Sequence, residues 1–231
     1  MNRLTIIKDL MTTKGLKNYL EIGVFNGHIF FRIKSNFKIA VDPEFRFDKL
    51  RIFGKTLLNP HNVHNKYYSK TSDAFFAEDA PELLKDKPLH IALIDGMHEY
   101  DYALRDVENT LKYLSDDGVI IMHDCNPLTK QAASSFQEWK DREFADTWNG
   151  DVWKVILHMQ SVRDDVNAFT IDCDHGLGII TKRKSEQRFN FTKEQINSFT
   201  YEDFERHRKE WLNLKHCNYF YEYFQIASGQ K

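Results

Sequence analysis

Two short apolar segments separated by a helical pattern constrain this 231-residue chain more than any other feature. Residues 91–94 and residues 119–122 are each continuously apolar, which is typical of strands buried on both faces of a parallel sheet. Between them, from 102 to 114, apolar residues recur at helical spacing with charged residues in between. The segment therefore predicts a strand, an amphipathic helix and a second strand.

Polar residues stand where each of these predicted strands ends, namely Asp95, Gly96, His98, His123 and Asp124. A strand, helix, strand unit is almost always a right-handed crossover, which brings the carboxyl ends of both strands to one edge of the sheet. We therefore expect Asp95, His98, His123 and Asp124 to converge.

The rest of the chain alternates in the same way and contains no repeat. Further strands are predicted at 17–22, 37–41, 166–172 and 177–182. Helices are predicted at 3–11, 129–141, 151–162 and 201–214, with a turn and helix through 23–33 and a helix capped by Ser72 or Asp73. Residues 44–66 have no assignable pattern. This order predicts an α/β fold: a doubly wound, Rossmann-like, mostly parallel sheet with an antiparallel C-terminal hairpin and a helical C-terminal tail.

Length and composition limit what such a chain can be. We expect one domain over residues 1–185, extended by residues 186–231. A net charge of -2 argues against a nucleic-acid-binding surface, and three scattered cysteines indicate neither disulfides nor a CxxC metal site. Because the chain starts without a signal-peptide pattern and has no apolar run of about 18 residues, we expect a cytoplasmic protein without a membrane span.

A second motif, LEIGVFNG, follows the first predicted strand. Gly23 and Gly27 allow backbone to approach a ligand closely, and Asp42, 19 residues beyond Gly23, ends the next strand where an acid can accept ribose hydroxyls. A dinucleotide-binding fingerprint would place glycines at the positions of Glu21 and Asn26, so hydride chemistry is disfavoured. Glu21 would repel a pyrophosphate and suits a cationic ligand such as S-adenosylmethionine (SAM).

Three motifs in this order, LEIGVFNG, AVDP and LIDGMHEYDYALRDVENTLKYLSDDGVIIMHD, resemble the class I SAM-dependent methyltransferases. Within that class they resemble the small O-methyltransferases acting on sugars and related natural products, over residues 17–182. The segments WNGDVWK and DCDHGLGII also resemble methyltransferases from surface-polysaccharide gene clusters. The resemblance implies a methyltransferase domain that takes SAM as cofactor and methylates a small-molecule or glycan substrate.

The same resemblance assigns roles to individual positions. Glu21, Gly23 and Gly27 form the loop on the methionine side, Asp42 holds the ribose, and Ser72 with Asp73 lies near the adenine. The full predicted cofactor-binding set is Glu21, Gly23, Asn26, Gly27, Asp42, Ser72, Asp73, Asp95 and Gly96.

Methyl transfer to a sugar hydroxyl requires a base, a metal, or both, because this hydroxyl is a poor nucleophile with a very high pKa. The predicted catalytic residues are His98, His123 and Asp124. His98 is the preferred base, since it follows the flexible Asp95–Gly96 turn, and a core role for His123 is equally compatible with the sequence.

The resemblance implies a divalent metal at Asp95 and Asp124, which match metal-binding positions of metal-dependent relatives, with His123 as a further ligand. The metal would be Mg²⁺ bound through oxygen, or a softer metal bound through imidazole. Met97 and His123 stand where some of those relatives have acids. The sequence therefore leaves metal dependence open.

Several alternatives remain at this stage. Trp148 and Trp153 suggest a wall for a sugar ring, while Asp151 and Lys154 of the same segment are equally well interpreted as a helix-capping acid and a solvated lysine. The aromatic end of the chain favours packing or a contact in a homo-oligomer. In place of an enzyme, the chain could be a Rossmann-like protein that binds SAM or a nucleotide without turnover and acts as an assembly partner. An NAD or nucleotide-sugar oxidoreductase is the least favoured function, because of Glu21.

Overall fold

The computed structural model describes residues 1–143 and 147–227 and contains one seven-stranded sheet in the order β3-β2-β1-β4-β5-β7-β6. The strands are β1 (Asn18–Ile22), β2 (Phe37–Val41), β3 (Lys66–Tyr68), β4 (Leu89–Ile94), β5 (Leu114–Met122), β6 (Asn167–Ile171) and β7 (Leu177–Thr181). β1 pairs in parallel with β2 and β4, and β2 with β3, whereas β6 and β7 are antiparallel. The predicted fold class is confirmed.

Helices surround this sheet and also form the C-terminal tail. They are α1 (Arg3–Lys14), α2 (Lys49–Leu58), α3 (Ser72–Glu78), α4 (Ala80–Leu83), α5 (Tyr100–Tyr113), α6 (Phe136–Lys140), α7 (Trp153–Val162), α8 (Lys193–Ser198), α9 (Tyr201–Trp211) and α10 (Tyr219–Phe224). Within the described residues no helix is both long enough and apolar enough to cross a membrane. The last four residues of the predicted tail, 228–231, lie outside the described part of the chain.

The backbone divides into two compact units. The N-terminal unit comprises residues 2–97 and 105–120, and the C-terminal unit comprises residue 1, residues 98–104 and the chain from 121 onward. The predicted boundary between a domain at 1–185 and an extension at 186–231 stays a prediction.

In the N-terminal unit, β1 lies between β2 and β4 with its last residues in register with both. Ile22 is opposite Val41 on one side and Ile94 on the other. All three side chains are buried, as expected for central strands of a parallel sheet. The carboxyl ends of these three strands are therefore level with one another.

In the C-terminal unit, β6 and β7 form a hairpin whose turn carries three consecutive residues with positive φ, Asp174, His175 and Gly176. The carbonyls of His175 and Gly176 accept hydrogen bonds from the amides of Asn126 (2.9 Å) and Cys125 (3.0 Å). These bonds fasten the turn to the segment that follows β5.

Two predicted helices are shorter in the structure, for local reasons. The predicted turn and helix through 23–33 contains only a 3₁₀ turn at Phe30–Arg32, because Gly23 and Gly27 adopt left-handed backbone conformations. The prediction of a helix over 129–141 was wrong for its first half, since a capping box at Ser135 starts α6 only at residue 136.

Other boundaries also differ from the predictions. The N-cap of α3 is Thr71, whose hydroxyl accepts the amide of Ala74 (3.2 Å), and is neither Ser72 nor Asp73. The unassigned stretch 44–66 contains α2, with Asp48 as its N-cap. Residues 115–118, predicted to end a helix, form the start of β5.

Candidate active site

The N-terminal unit presents predicted cofactor-binding residues directly after three level strand ends. Gly23 follows β1, Asp42 follows β2 and Asp95 follows β4. The strand pairing continues into these residues, because the amide of Gly23 donates to Val41 O (3.0 Å) and the amide of Asp95 donates to Ile22 O (2.9 Å). A ligand at this edge would meet all three, as is general for open α/β sheets.

Close packing requires both glycines of the first loop. Gly23 has φ +80°, and a Cβ there would lie 2.0 Å from the carbonyl oxygen of Asp95. Gly27 has φ +72°, and a Cβ there would lie 2.3 Å from the ring of Phe31. The loop thus brings backbone to the strand ends with no side chain in between.

Asp42 is buried and held by the backbone around it. One carboxylate oxygen accepts the amide of Phe25 (2.7 Å) and the other accepts the amide of Glu44 (2.8 Å). Because each carboxylate oxygen has two lone pairs, Asp42 keeps acceptor capacity for two ribose hydroxyls. Asn26 has a local role, since its side-chain oxygen accepts the amide of His28 (3.0 Å).

Glu21 is buried beside Tyr19, whose hydroxyl donates to the carboxylate at 2.5 Å. The pKa of Glu21 is raised from 4.5 to about 8, chiefly by burial and also by the negative charge of Asp95, while the hydrogen bond from Tyr19 acts in the opposite direction. A cation bound near Glu21 would favour its ionised form. This carboxyl is therefore suited to a positively charged ligand group.

Ser72 and Asp73, predicted to lie near the adenine, both contact the part of α5 that belongs to the N-terminal unit. The hydroxyl of Ser72 hydrogen-bonds to the carboxyl of Asp106, and Asp73 forms an ion pair with Arg105 (3.1 Å). Burial raises the pKa of Asp106 from 3.8 to about 7. The sequence analysis assigned no role to Asp106. The available signal was an acidic residue on the buried face of a predicted helix, three residues after Ala103.

The remaining two predicted residues of this edge, Asp95 and Gly96, differ in their surroundings. Asp95 lies 3.7 Å from the guanidinium of Arg3. A Cβ on Gly96 would meet only ordinary van der Waals neighbours, Ile22 and Asp106. A glycine is therefore not sterically required at position 96.

In the C-terminal unit, Asp124 is the centre of a cluster of polar side chains. It is buried and has φ +61°, directly after the end of β5. Its Oδ2 lies 2.8 Å from His123 Nδ1 and 3.4 Å from His98 Nε2, and its Oδ1 accepts from Asn149 Nδ2 at 2.7 Å. The three predicted catalytic residues are thus brought together, and their catalytic role stays a prediction.

The hydrogen bond of His98 to the backbone fixes its tautomer. Nδ1 lies 2.8 Å from the carbonyl oxygen of Trp148, which can only accept, so Nδ1 carries a proton. In the neutral ring the unprotonated nitrogen is then Nε2, which lies 3.4 Å from the carboxylate of Asp124. If Nε2 takes up a proton, the carboxylate of Asp124 stabilises the resulting imidazolium.

Both nitrogens of His123 face carboxylates. Nδ1 lies 2.8 Å from Asp124, and Nε2 lies 3.7 Å from Asp174. The ring of His175 contacts the ring of His123 edge-on at 5.7 Å, from the hairpin turn. Since His123 is also more deeply buried than His98, His98 is better placed to reach a substrate.

Metal binding stays a prediction, and within the C-terminal unit the groups beside Asp124 offer few of the oxygen ligands that are typical of Mg²⁺. This ion prefers a set of oxygen ligands, whereas in the C-terminal unit the Asp124 carboxylate is flanked by the imidazoles of His98 and His123 and by the amide of Asn149. Imidazole nitrogens suit Zn²⁺, Fe²⁺ or Ni²⁺ better.

The proposed sugar-binding wall is wrong for Trp153. That side chain is 1% exposed and stacks on Phe204 and Trp211 in the core. Trp148 is half-buried and stacks on the ring of His98, with the ring centroids 4.9 Å apart. The Trp148 ring also stacks on the ring of Trp139, with the centroids 5.2 Å apart. An aromatic wall for a sugar ring therefore stays a prediction for Trp148.

Asp151 and Lys154 have structural contacts. Asp151 accepts the amide of Tyr100 (2.7 Å) and so caps the start of α5. Lys154 is buried, lies 3.1 Å from Asp151 and donates to the carbonyl of Asn197 (3.0 Å). The capping interpretation of Asp151 agrees with this contact, and the interpretation of Lys154 as a solvated lysine was wrong.

Two residues of the cluster were missed by the sequence analysis, Asn149 and Asp174. Each lies beside a glycine-containing turn, in the WNG and DCDHG segments respectively, and each contacts a residue after β5. The available signal for a role in the site was that both are polar residues in predicted loops and that both belong to a motif.

Comparison with known proteins agrees with this geometry. Residues 20–125 match the family model of a methyltransferase domain. The match begins in β1 and ends one residue after Asp124. No curated protein matched the chain.

Solved structures show the same fold at low sequence identity. The O-methyltransferase TomG from Streptomyces achromogenes, in complex with SAM, has a TM-score of 0.56 at 15% identity, covering 78% of each chain. Cofactor-bound Rv0187 from MTB has a TM-score of 0.56 at 12% identity, covering 80% of this chain and 82% of that chain. An O-methyltransferase from Bacillus cereus with bound SAH has a TM-score of 0.52 at 13% identity, covering 79% and 82%. The fold is the Rossmann-like fold of methyltransferases.

Proposed function

We propose that this protein is an O-methyltransferase that moves the methyl group of SAM to a hydroxyl of a sugar or glycan precursor. The observation that carries the proposal is the level edge of β1, β2 and β4, where a two-glycine loop and a buried acid lie within the segment that matches a methyltransferase domain. The SAM and SAH complexes of TomG and of the Bacillus cereus enzyme support the choice of cofactor.

The cofactor is proposed to bind the N-terminal unit. Asp42 would accept the ribose hydroxyls, and the Gly23–Gly27 loop would admit the methionine portion without steric hindrance. Glu21 would hold a positive group of the ligand, since ionisation of this buried carboxyl needs a compensating cation. When bound, SAM supplies a methyl group activated by its sulfonium charge.

His98 is proposed as the general base of the reaction. Its Nε2 would accept the proton of the acceptor hydroxyl as the methyl group passes from the sulfur of SAM to the hydroxyl oxygen, with SAH as the leaving group, and Asp124 would stabilise the imidazolium that results. The Trp148 carbonyl keeps His98 in the required tautomer. Asn149 and His123 hold Asp124 in place, so these two side chains are positioning groups.

A sugar or glycan acceptor is supported by two segments that resemble methyltransferases of polysaccharide gene clusters. Both contact the proposed catalytic cluster in the C-terminal unit: Asn149 of WNGDVWK binds Asp124, and Asp174 of DCDHGLGII faces His123.

The direct test is calorimetry with SAM and SAH, followed by methyl transfer to a panel of sugars and nucleotide sugars, with and without a chelator. We expect SAM binding, and transfer that survives chelation because His98 serves as the base. Absence of SAM binding at millimolar concentration would refute the proposal. Binding without transfer to any acceptor would favour the non-catalytic assembly role, and loss of transfer with chelator would establish a metal requirement.

A further inference from the structure

Helix α2 in the N-terminal unit exposes large apolar side chains to an unusual degree. Leu50, Phe53, Leu57 and Leu58 are between 61% and 81% exposed, and no residue of this ten-residue helix is buried. Val63, shortly after the helix, is 61% exposed as well. Single exposed apolar residues are ordinary, but a contiguous patch on one helix marks an interaction surface.

The exposed residues form a stripe along one side of the helix. Phe53 and Leu57 follow Leu50 at three and seven positions, the spacing of one helical face. Ile52 and Lys55, on the opposite side, are half-buried. The helix therefore turns its apolar stripe outward.

The end of α2 is anchored, so this orientation is built into the fold. The amide group of Asn62 donates to Lys55 O (3.0 Å) and to Phe31 O (3.1 Å), and the amide group of Asn59 also donates to Phe31 O (3.0 Å). Asp48 caps the other end by accepting the amide of Arg51 (2.8 Å).

The charge of this segment is entirely basic. Lys49, Arg51 and Lys55 lie on α2, and the sequence from Lys49 to Ser72 contains no aspartate or glutamate. Lys49 and Arg51 are exposed, on either side of the apolar stripe. The apolar side chains of α2 are thus flanked by positively charged ones. The complementary partner is a surface that combines apolar groups with negative charges.

We propose that α2 binds an anionic lipid surface, lying flat in the interface with Leu50, Phe53 and Leu57 among the acyl chains and the cations at the lipid headgroups. Amphipathic helices with Lys or Arg on the polar side and Phe or Leu on the other bind membranes in this way. A second copy of the chain fits the surface less well, because symmetric pairing of two such helices would bring their cations together.

Sedimentation with vesicles tests the proposal on the full-length protein. Vesicles of phosphatidylcholine alone are compared with vesicles of equal parts phosphatidylcholine and phosphatidylglycerol. We expect binding to the anionic vesicles that weakens as salt is raised, with little binding to neutral ones. The double variant Phe53→Ser/Leu57→Ser should bind at least about tenfold more weakly, because two apolar anchors are lost.

Two further variants separate charge from general hydrophobicity. Lys49→Glu/Arg51→Glu should abolish the preference for anionic vesicles. Leu128→Ser is the matched control, because Leu128 is 73% exposed but lies outside α2, and its binding should equal that of the wild type. All of these side chains are exposed, so circular dichroism should show an unchanged fold.

Three results would overturn the proposal. The first is equal binding, or no binding, to the two kinds of vesicle. The second is a loss of binding in Leu128→Ser as large as in the Phe53→Ser/Leu57→Ser variant. The third is a dimer in sedimentation equilibrium that the Phe53→Ser/Leu57→Ser variant dissociates, which would make the stripe an interface between copies of this chain.

Discussion

Replacement of Gly23 by alanine tests whether the level strand edge depends on direct backbone contact between β1 and β4. The new Cβ would lie 2.0 Å from the carbonyl oxygen of Asp95 and 2.4 Å from its carbonyl carbon. Both atoms are backbone, so no side-chain rotation can relieve the overlap. The strand ends would have to separate by more than an ångström.

The expected loss of stability has two parts. The left-handed conformation of residue 23, with φ +80°, costs about 1–2 kcal/mol for a residue with a Cβ. Displacement of packed backbone adds about 1–3 kcal/mol, as for overpacked cores. We therefore expect Gly23→Ala to lower the free energy of unfolding by about 2–5 kcal/mol, a large share of the roughly 5–15 kcal/mol of a typical domain.

Two other glycines provide matched controls. Gly15 has φ +67° with no atom within 4 Å of its would-be Cβ, so Gly15→Ala should show the conformational cost alone, about 1–2 kcal/mol. Gly54 lies inside α2, also with no atom within 4 Å, so Gly54→Ala should stabilise the protein by about 0.5–1 kcal/mol.

Urea unfolding followed by circular dichroism measures all three variants. The difference between Gly23→Ala and Gly15→Ala isolates the steric contact, since both share a positive φ. Loss of SAM affinity should accompany Gly23→Ala only. If the two variants lose the same free energy within about 0.5 kcal/mol, the close approach of β1 and β4 is not what requires a glycine at position 23.

Three further predictions concern the cofactor edge and the proposed base. Asp42→Ala should weaken SAM binding in calorimetry, because it removes the acceptor of the ribose hydroxyls. An affinity equal to that of the wild type would show that Asp42 does not hold the ribose. His98→Ala should leave SAM affinity unchanged and lower turnover by about 10²-fold or more, while the exposed-site control His64→Ala keeps full activity. Unchanged turnover in His98→Ala would exclude His98 as the base. Glu21 holds a proton in the folded protein between pH 4.5 and about 8 that the unfolded chain has released, so stability falls as pH rises through this window. Glu21→Gln should reduce that fall in urea unfolding measured below about pH 6, where the buried Lys38, with a pKa lowered from 10.5 to about 7, is still protonated in both the folded and the unfolded state. A slope unchanged by Glu21→Gln would show that Glu21 is ionised in the native protein.

The sheet could be predicted because its central strands are short, continuous apolar runs. The predicted strand at 37–41 has the same bounds as β2. The predicted hairpin strand at 166–172 is one residue longer than β6 at each end, and that at 177–182 is one residue longer than β7 at its C-terminal end. α2 escaped prediction because Gly54 interrupts it and because Ile52 and Leu58, which lie away from the face formed by Leu50, Phe53 and Leu57, obscure the helical period. A periodic pattern identifies a helix most clearly when its apolar face is buried.

The candidate site, like the fold, was predictable from the sequence only in part. The positions of Gly23 and Asp42 after their strands follow from spacing along the chain. The bonds of Asp124 with Asn149 and of His98 with Trp148 join residues 25 and 50 positions apart in sequence. Such pairs depend on how loops are folded back onto the strand ends, and no local pattern encodes that.

By itself, the sequence determined an α/β fold with polar groups at the strand ends and a glycine loop suited to a cationic cofactor, because burial of strands and freedom of glycine are local properties of residue type. Only the tertiary structure decided that Trp153 belongs to the core, that the Trp148 carbonyl sets the tautomer of His98, and that α2 faces outward. The physical reason is that hydrogen bonding and exposure of a side chain are set by neighbours distant in sequence, which the chain acquires only when it folds.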